Sequence, residues 1–287
     1  MTMIDILIPQ IFLGLSVGFI LALVSFGLSV TFGLMKVLNF AHGIFYALGA
    51  YLAYTTVIML GNFFYTPLLL IPLVVAIAVA MERGLLRFLY KEHEAVGLIA
   101  TTGATYIGID LIKYVWGLYP RPVSDPIGVS IPFYTIDIPA YRILVIAAAS
   151  TIFCLISFVF NRTWLGKIVK AALEDEDSVM NLGINTKRVY TTVYVIGALL
   201  AAIGGWLQAP LTSVYYQMPF DILLYAFAVV IFGGLGSLWG TLVSGIVMGL
   251  GIALVGVFYA PIAGIVPYII MFVFLIFKPE GLFGSKA

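Results

Sequence analysis

The chain has 287 residues, 63% hydrophobic and only 9% charged, and its 14 Lys and Arg against 13 Asp and Glu leave a net charge of +1. Soluble domains carry roughly 25% charged residues, so this composition suits lipid, and the near-neutral balance argues against nucleic acid as a partner. The one cysteine, Cys154, sits in an apolar run; it cannot form an intrachain disulfide and reads as a small buried hydrophobe.

About 20 apolar residues span a bilayer. Apolar runs bounded by polar, Pro or Gly breaks predict an all-α polytopic membrane protein with helices over 6–31, 39–60, 67–90, 95–117, 141–161, 189–210, 222–240, 241–257 and 261–277. The first run has no Lys or Arg before Lys36 and is far longer than a signal core, so it reads as a permanent span. Two short spans abut within 222–257 without a polar loop, so eight crossings with a broken or re-entrant segment fit as well as nine. With nine crossings and the N-terminus outside, Lys36, Arg83, Arg87, Lys91, Arg162, Lys167, Lys170, Lys187, Arg188, Lys278 and Lys286 fall inside. Only Arg121, Arg142 and Lys113 fall outside. That bias obeys the positive-inside rule and puts the C-terminus in the cytoplasm.

Taken in chain order, the first polar group inside the lipid is Asn39-Phe40-Ala41-His42-Gly43. A polar side chain there must face a cavity or a protein group. Asn39 and His42 are three apart and share a helix face; they line a solute path, hold a broken helix by satisfying its backbone, or simply face a helix interface. Glu82, Arg83 and Arg87 read as an anchor at the inner interface. Asp110 and Lys113, at i and i+3, are placed to pair. Five prolines within 118–140 exclude a helix, and alternation over Val129–Ile138 predicts a short extended element on the outer surface. This loop is a docking surface or gate, or else a stiff connector.

Residues 162–188 form a charged island between two apolar spans. Gly166 to Leu173 favours helix, with Ile168, Ala171 and Ala172 on an apolar face. After Glu174-Asp175-Glu176-Asp177, either Asp177 or Ser178 can cap a second short helix with Val179 and Leu182 on its apolar side. Gly183 falls where a helix-ending residue takes positive φ, and Ile184 can close the cap. Two short surface helices suit insertion into a groove on another protein; the plainer reading is a solvated loop. Further on, Gly233-Gly234-Leu235-Gly236-Ser237 predicts a break in a span, and Gly-interrupted segments in both halves of a chain point to a transport pathway. Ser237, Thr241, Gly245, Gly249 and Ala253 then make a small-residue stripe suited to helix packing, in part with a second chain, and Gly14 and Gly18 repeat the pattern.

The segment Lys170 to Asn185, KAALEDEDSVMNLGIN, resembles the cytoplasmic coupling loop of ABC importer permeases, and most closely those of the branched-chain amino acid permease family. Lys36 to Tyr54, Val229 to Gly245 and the terminal Pro279-Glu280-Gly281-Leu282-Phe283-Gly284 resemble that family's other signatures in the same order. The resemblance implies a single permease domain over 1–287. It implies that the 162–188 loop, through Gly166, Lys170, Ala171, Glu174, Asp175, Gly183 and Ile184, couples to an ATPase. Val179 stands where the family usually has Ala. The implied partners are a second, different permease chain, two ATPases and an external substrate-binding protein, in the bacterial cytoplasmic membrane.

The chain has no Walker A sequence, so energy must come from another subunit. It has no paired aspartates, nucleophile–base pair or metal-ligand cluster within the spans; neither enzyme activity nor a cofactor is expected. The translocation path is expected near Asn39, Phe40, His42, Gly43, Gly233, Gly234 and Gly236, through a fairly apolar cavity. Branched-chain amino acids are the leading solutes. Urea or short amides carried by the same machinery, or a passive channel, are the alternatives.

Overall fold

The computed structural model describes residues 3–90, 92–133 and 136–283. Lys91, Gly284 and Lys286, which the sequence reading used, lie outside these. The helices are α1 (Met3–Met35), α2 (His42–Leu60), α3 (Thr66–Gly84), α4 (Glu94–Trp116), α5 (Ala140–Arg162), α6 (Trp164–Glu174), α7 (Glu176–Asn181), α8 (Thr186–Gln208), α9 (Met218–Gly233), α10 (Leu238–Phe258), α11 (Ala260–Ala263) and α12 (Val266–Phe277). Among the described residues seven are long and apolar enough to cross a membrane, while the apolar α9 and α12 are shorter. The fold is therefore all-α and polytopic. The extended element is also present, as an antiparallel pair of β1 (Ser130–Phe133) and β2 (Ile136–Pro139).

Helices α1 and α10 form the spine. A Cβ at Gly18 would stand 2.8 Å from Ile246 Cα, and one at Gly14 would stand 2.8 Å from Leu250 Cα, so the two backbones touch without a layer of side chains. The small-residue stripe is thus used inside this chain. On the other side of α1, Gly27 meets Gly197 of α8 in the same manner. Helix α2 crosses α8 at Gly49 and Gly205, each of which leaves no room for a Cβ against the facing backbone.

Contacts also orient the helices. Arg142 at the start of α5 donates to Pro9 O, and Tyr141 Oη donates to Leu207 O at the end of α8. At the opposite end, Thr191 of α8 donates to Glu82 of α3, and Leu173 of α6 packs on Gly33. That second end gathers Lys36, Arg83, Arg87, Lys278 and the basic residues of 162–188. The first holds Arg121 and Arg142, with Lys113 near it. Lys113 pairs with Asp110 at 2.9 Å, as its spacing predicts.

Four expectations change. Cys154 is exposed on α5 rather than buried, because hydropathy does not separate a lipid- or partner-facing position from a core one. Glu82 is not an interface anchor. Its side chain is fully buried and accepts from Arg87 (2.9 and 3.2 Å), Tyr90 (2.6 Å) and Thr191 (2.7 Å), clipping α3 to α8. The glycine break does not interrupt a span. It is a turn over 234–237 that separates α9 from α10, with Gly234 at φ 94°, Gly236 at φ 77° and Ser237 Oγ capping α10 from Gly240 N. The cap of α7 is Asp175, which accepts from Ser178 N at 3.1 Å, not Asp177 or Ser178.

Candidate functional site

The helix expected from residue 39 begins only at His42, and the unwound residues 36–41 before it are well supplied with partners. Helix α1 stops at Met35, where Lys36 takes φ 52°, and α2 begins only at His42, beside Val24 in the middle of α1. The chain between runs unwound inside the protein, where each free backbone group needs a partner. Thr101 of α4 supplies two: its hydroxyl accepts from Phe40 N at 3.1 Å and reaches Leu38 O at 2.9 Å. Asn39 Oδ1 accepts from Ala41 N, and its amide reaches Tyr194 Oη at 3.4 Å. His42 Nε2 faces Val24 O at 3.1 Å; a carbonyl only accepts, so Nε2 carries the proton. Nδ1 is then a buried acceptor with no partner among the described residues. Asn39 and His42 are both buried, and Gly43 lets Pro219 of α9 sit against α2. Asn39 thus serves the unwound segment itself, whereas His42 ties the start of α2 to a carbonyl of α1.

Gly233, Gly234 and Gly236 form the second break, at the basic end. Gly236 N donates to Ser29 Oγ at 2.8 Å, while Leu282 N and Phe283 N donate to Phe232 O and Gly233 O. Gly281 packs on Gly234. Two segments that the sequence singles out separately, the glycine turn and the terminal Pro-Glu-Gly-Leu-Phe stretch, are therefore one substructure.

The site that sequence reading missed lies at the opposite end. A cavity of about 290 Å³ opens between α1, α2, α9 and α10, beneath the 209–217 segment. Its lining combines aliphatic Val17, Ile20, Ile222 and Ile252 with Tyr46, Gln208, Thr212, Tyr215 and Asp221. Tyr215 Oη donates to Asp221 Oδ2 at 2.7 Å. Val214 pairs with Arg121 across the two connecting segments, which holds the cover in place. None of the residues proposed from sequence as a path lines this cavity.

At the basic end, α6 and α7 lie across the ends of α1, α5 and α8. Gly166, Val169, Ala172 and Val179 are buried; Ala171 is exposed, so the inward face is shifted from the one predicted. Gly166 sits on the Phe160 backbone at the end of α5, where a Cβ would be 2.6 Å from Phe160 Cα. Gly183 takes φ 78°, with Ile184 N bonded to Val179 O and Gly183 N to Met180 O, the paired closure expected of a glycine-ended helix. Val179, bulkier than Ala, is used to pack α7 onto its own chain. Trp164, Lys170, Met180 and Leu182 point away from the bundle, and Leu182 is 79% exposed. Hydrogen bonds from the Ser178 hydroxyl and backbone hold the Asp175 carboxyl below its ordinary range.

A bundle of long apolar helices, with an unwound segment at 36–41, a glycine turn at 234–237 and a surface helix pair at its basic end, fits a membrane permease. The chain belongs to the family described as branched-chain amino acid transport system / permease component, whose model matches residues 10–275. Such a chain is the transport subunit of an ABC importer and not an enzyme. It is 26% identical to the high-affinity branched-chain amino acid transport system permease protein LivH of Escherichia coli K12, over 96% of this chain and 95% of that one. The corresponding BraD of Pseudomonas aeruginosa is 24% identical, with the same coverage. Among solved structures, PsaBC from Streptococcus pneumoniae in complex with Fab has a similar fold, with a TM-score of 0.50 and 14% identity over 92% of this chain and 89% of that one.

Proposed function

We propose that this chain pairs with a second, different permease, two cytoplasmic ATPases and an external binding protein to import branched-chain amino acids across the bacterial cytoplasmic membrane. In this reading the N-terminus is outside, the basic end is cytoplasmic, and 118–140 is an external loop. The whole chain acts as one transmembrane domain.

The observation that carries the reading is the two-sided helix pair at 164–181. Its inner side is locked to the bundle, with Gly166 on the end of α5 and Leu173 on Gly33 of α1. Its outer side offers apolar Trp164, Met180 and Leu182 beside charged side chains, which suits a groove on another protein. Closure of the ATPases would push α6 and, because Gly166 leaves no slack, move α5 with it. Lys170, Ala171, Glu174 and Asp175 lie on the contact surface, while Gly183 and Ile184 fix the end of α7. Asn39, His42 and the glycine turn hold the breaks around which the path forms. Urea and short amides are the alternative solutes for the same machinery; a passive facilitator would leave the outward face of the helix pair without a use.

The test is uptake by vesicles holding this chain with the subunits encoded beside it, comparing leucine, urea and acetamide with and without ATP. ATP-dependent leucine uptake is expected, and ATP-independent equilibration would overturn the importer reading. In the same vesicles Gly183→Val should abolish stimulated ATPase activity while membrane insertion survives, since a β-branched residue is strained at φ 78°. Undiminished stimulation would remove the coupling assignment.

A further inference from the structure

The cavity opposite the basic end is lined by both polar and aliphatic groups, and among the described residues its one carboxylate carries no counter-ion. Asp221 is exposed at the mouth and accepts from Tyr215, and among the described residues no Lys, Arg or His pairs with it. It lies in the first turn of α9. An exposed carboxylate with no paired cation attracts a positive group, whereas the lining side chains of Val17, Ile20, Ile222 and Ile252 offer nothing to a polar one. A volume of about 290 Å³ is at the small end of the roughly 300–1,000 Å³ usual for ligand pockets and admits one small solute.

We propose that this cavity is a solute-selecting station within the permease itself. The ammonium group of an α-amino acid docks on Asp221, and its apolar side chain lies against Val17, Ile20, Ile222 and Ile252. The proposal rests on the importer reading above and adds to it the residue that separates amino acids from neutral amides. A carboxylate in a first helical turn also stabilises the helix. The two roles differ in what they ask of the solute, since only docking requires a positive charge on it.

The experiment places a reporter thiol at the mouth by Thr212→Cys, with Cys154→Ser removing the exposed native thiol. The transporter, purified with its partner subunits but without the binding protein, is labelled with a maleimide in the presence of single solutes. Leucine and leucinamide, which carry the ammonium group, should slow labelling saturably, about tenfold at a concentration roughly ten times Kd. 4-Methylpentanoate, with the same side chain and no ammonium, and acetamide should leave the rate unchanged. Asp221→Asn should remove the protection, and so should Ile252→Trp, which fills the apolar lining from another helix and leaves Asp221 intact. Protection by 4-methylpentanoate equal to that by leucinamide, or protection that survives either variant, would overturn the proposal. ATP-driven leucine uptake without any protection would also overturn it and leave the importer reading standing. Protection that depends on Asp221, together with ATP-independent uptake, would refute the importer reading and retain the site.

Discussion

The crossing of α2 and α8 gives the sharpest test of the packing. Gly49→Ala adds a single methyl group. Its carbon would stand 2.6 Å from the Ala202 carbonyl carbon, and nearer still to the oxygen, whereas ordinary contact begins at 3.4 Å. At least 0.8 Å of separation is needed, and no flexible side chain is there to yield. Helix α8 cannot retreat, because its other side is in backbone contact with α1 at Gly27 and Gly197. Overpacking a core costs about 1–3 kcal/mol, and a clash with backbone on both sides puts this variant near 3 kcal/mol, close to two powers of ten in the folding equilibrium. For a chain of this size that lowers the melting midpoint by about 6–12 °C. Gly103→Ala is the control, since nothing lies within 4 Å of a Cβ there, and relief of the glycine penalty in a helix should stabilise it by about 0.5–1 kcal/mol. The assay is thermal unfolding of the purified chain in detergent, followed by tryptophan fluorescence and the monodisperse fraction on size exclusion. A Gly49→Ala midpoint equal to that of Gly103→Ala would refute the close crossing.

Thr101→Val strips the partners from Phe40 N and Leu38 O; a loss of about 1–3 kcal/mol is expected in the same melting assay, and an unchanged midpoint would mean that the unwound segment is held in another way. Lys36→Gly relieves a left-handed residue and should gain about 1 kcal/mol, so a lower midpoint would count against the φ found there. Asp175 is depressed in the folded state, so its contribution to α7 is present above the unfolded carboxylate value and is lost as pH falls through the folded one. Hydrogen exchange at 178–184 should accelerate on acidification in the parent and be fast and nearly pH-independent, after correction for intrinsic exchange, in Asp175→Ala; identical profiles would sink the assignment. Glu82→Leu leaves Arg87, Tyr90 and Thr191 without their shared acceptor and should cost about 2 kcal/mol, and a neutral result would mean that these groups rehydrate freely.

What could be read from sequence was whatever depends on local chemistry. Apolar runs located the helices, four-residue spacing exposed the stripe on α10, and Gly183 with Ile184 described the end of α7 before its geometry was known. The turn at 234–237 was legible as a break, but not as the boundary between two helices, because flanking residues on both sides are equally apolar. Asp175, Asp177 and Ser178 are all competent caps; which one caps depends on where the chain leaves α6, a tertiary matter. Faces were the weakest reading. In a bilayer an apolar side chain is equally at ease in the core or against lipid, so Cys154 gave no sign of pointing outward, while Ala171 and Leu182, on the short surface helix pair, turn outward where apolarity alone pointed inward. The cavity was invisible for another reason: Tyr46, Gln208, Tyr215 and Asp221 are unremarkable one by one and meet only when α2 crosses α8 and the 209–217 segment folds over them.

The glycine faces of α1 and α10 carry a consequence measured in time. The backbone on which Gly14 and Gly18 rest, from Gly245 to Leu250, is synthesised more than 200 residues after them. At roughly 5–20 residues per second that is a wait on the order of 10–50 s. Throughout it the first helix stands in the membrane with a bare groove along one side. Such grooves attract other helices, so correct assembly of this chain is a race between its own tenth helix and every neighbour that reaches the groove first.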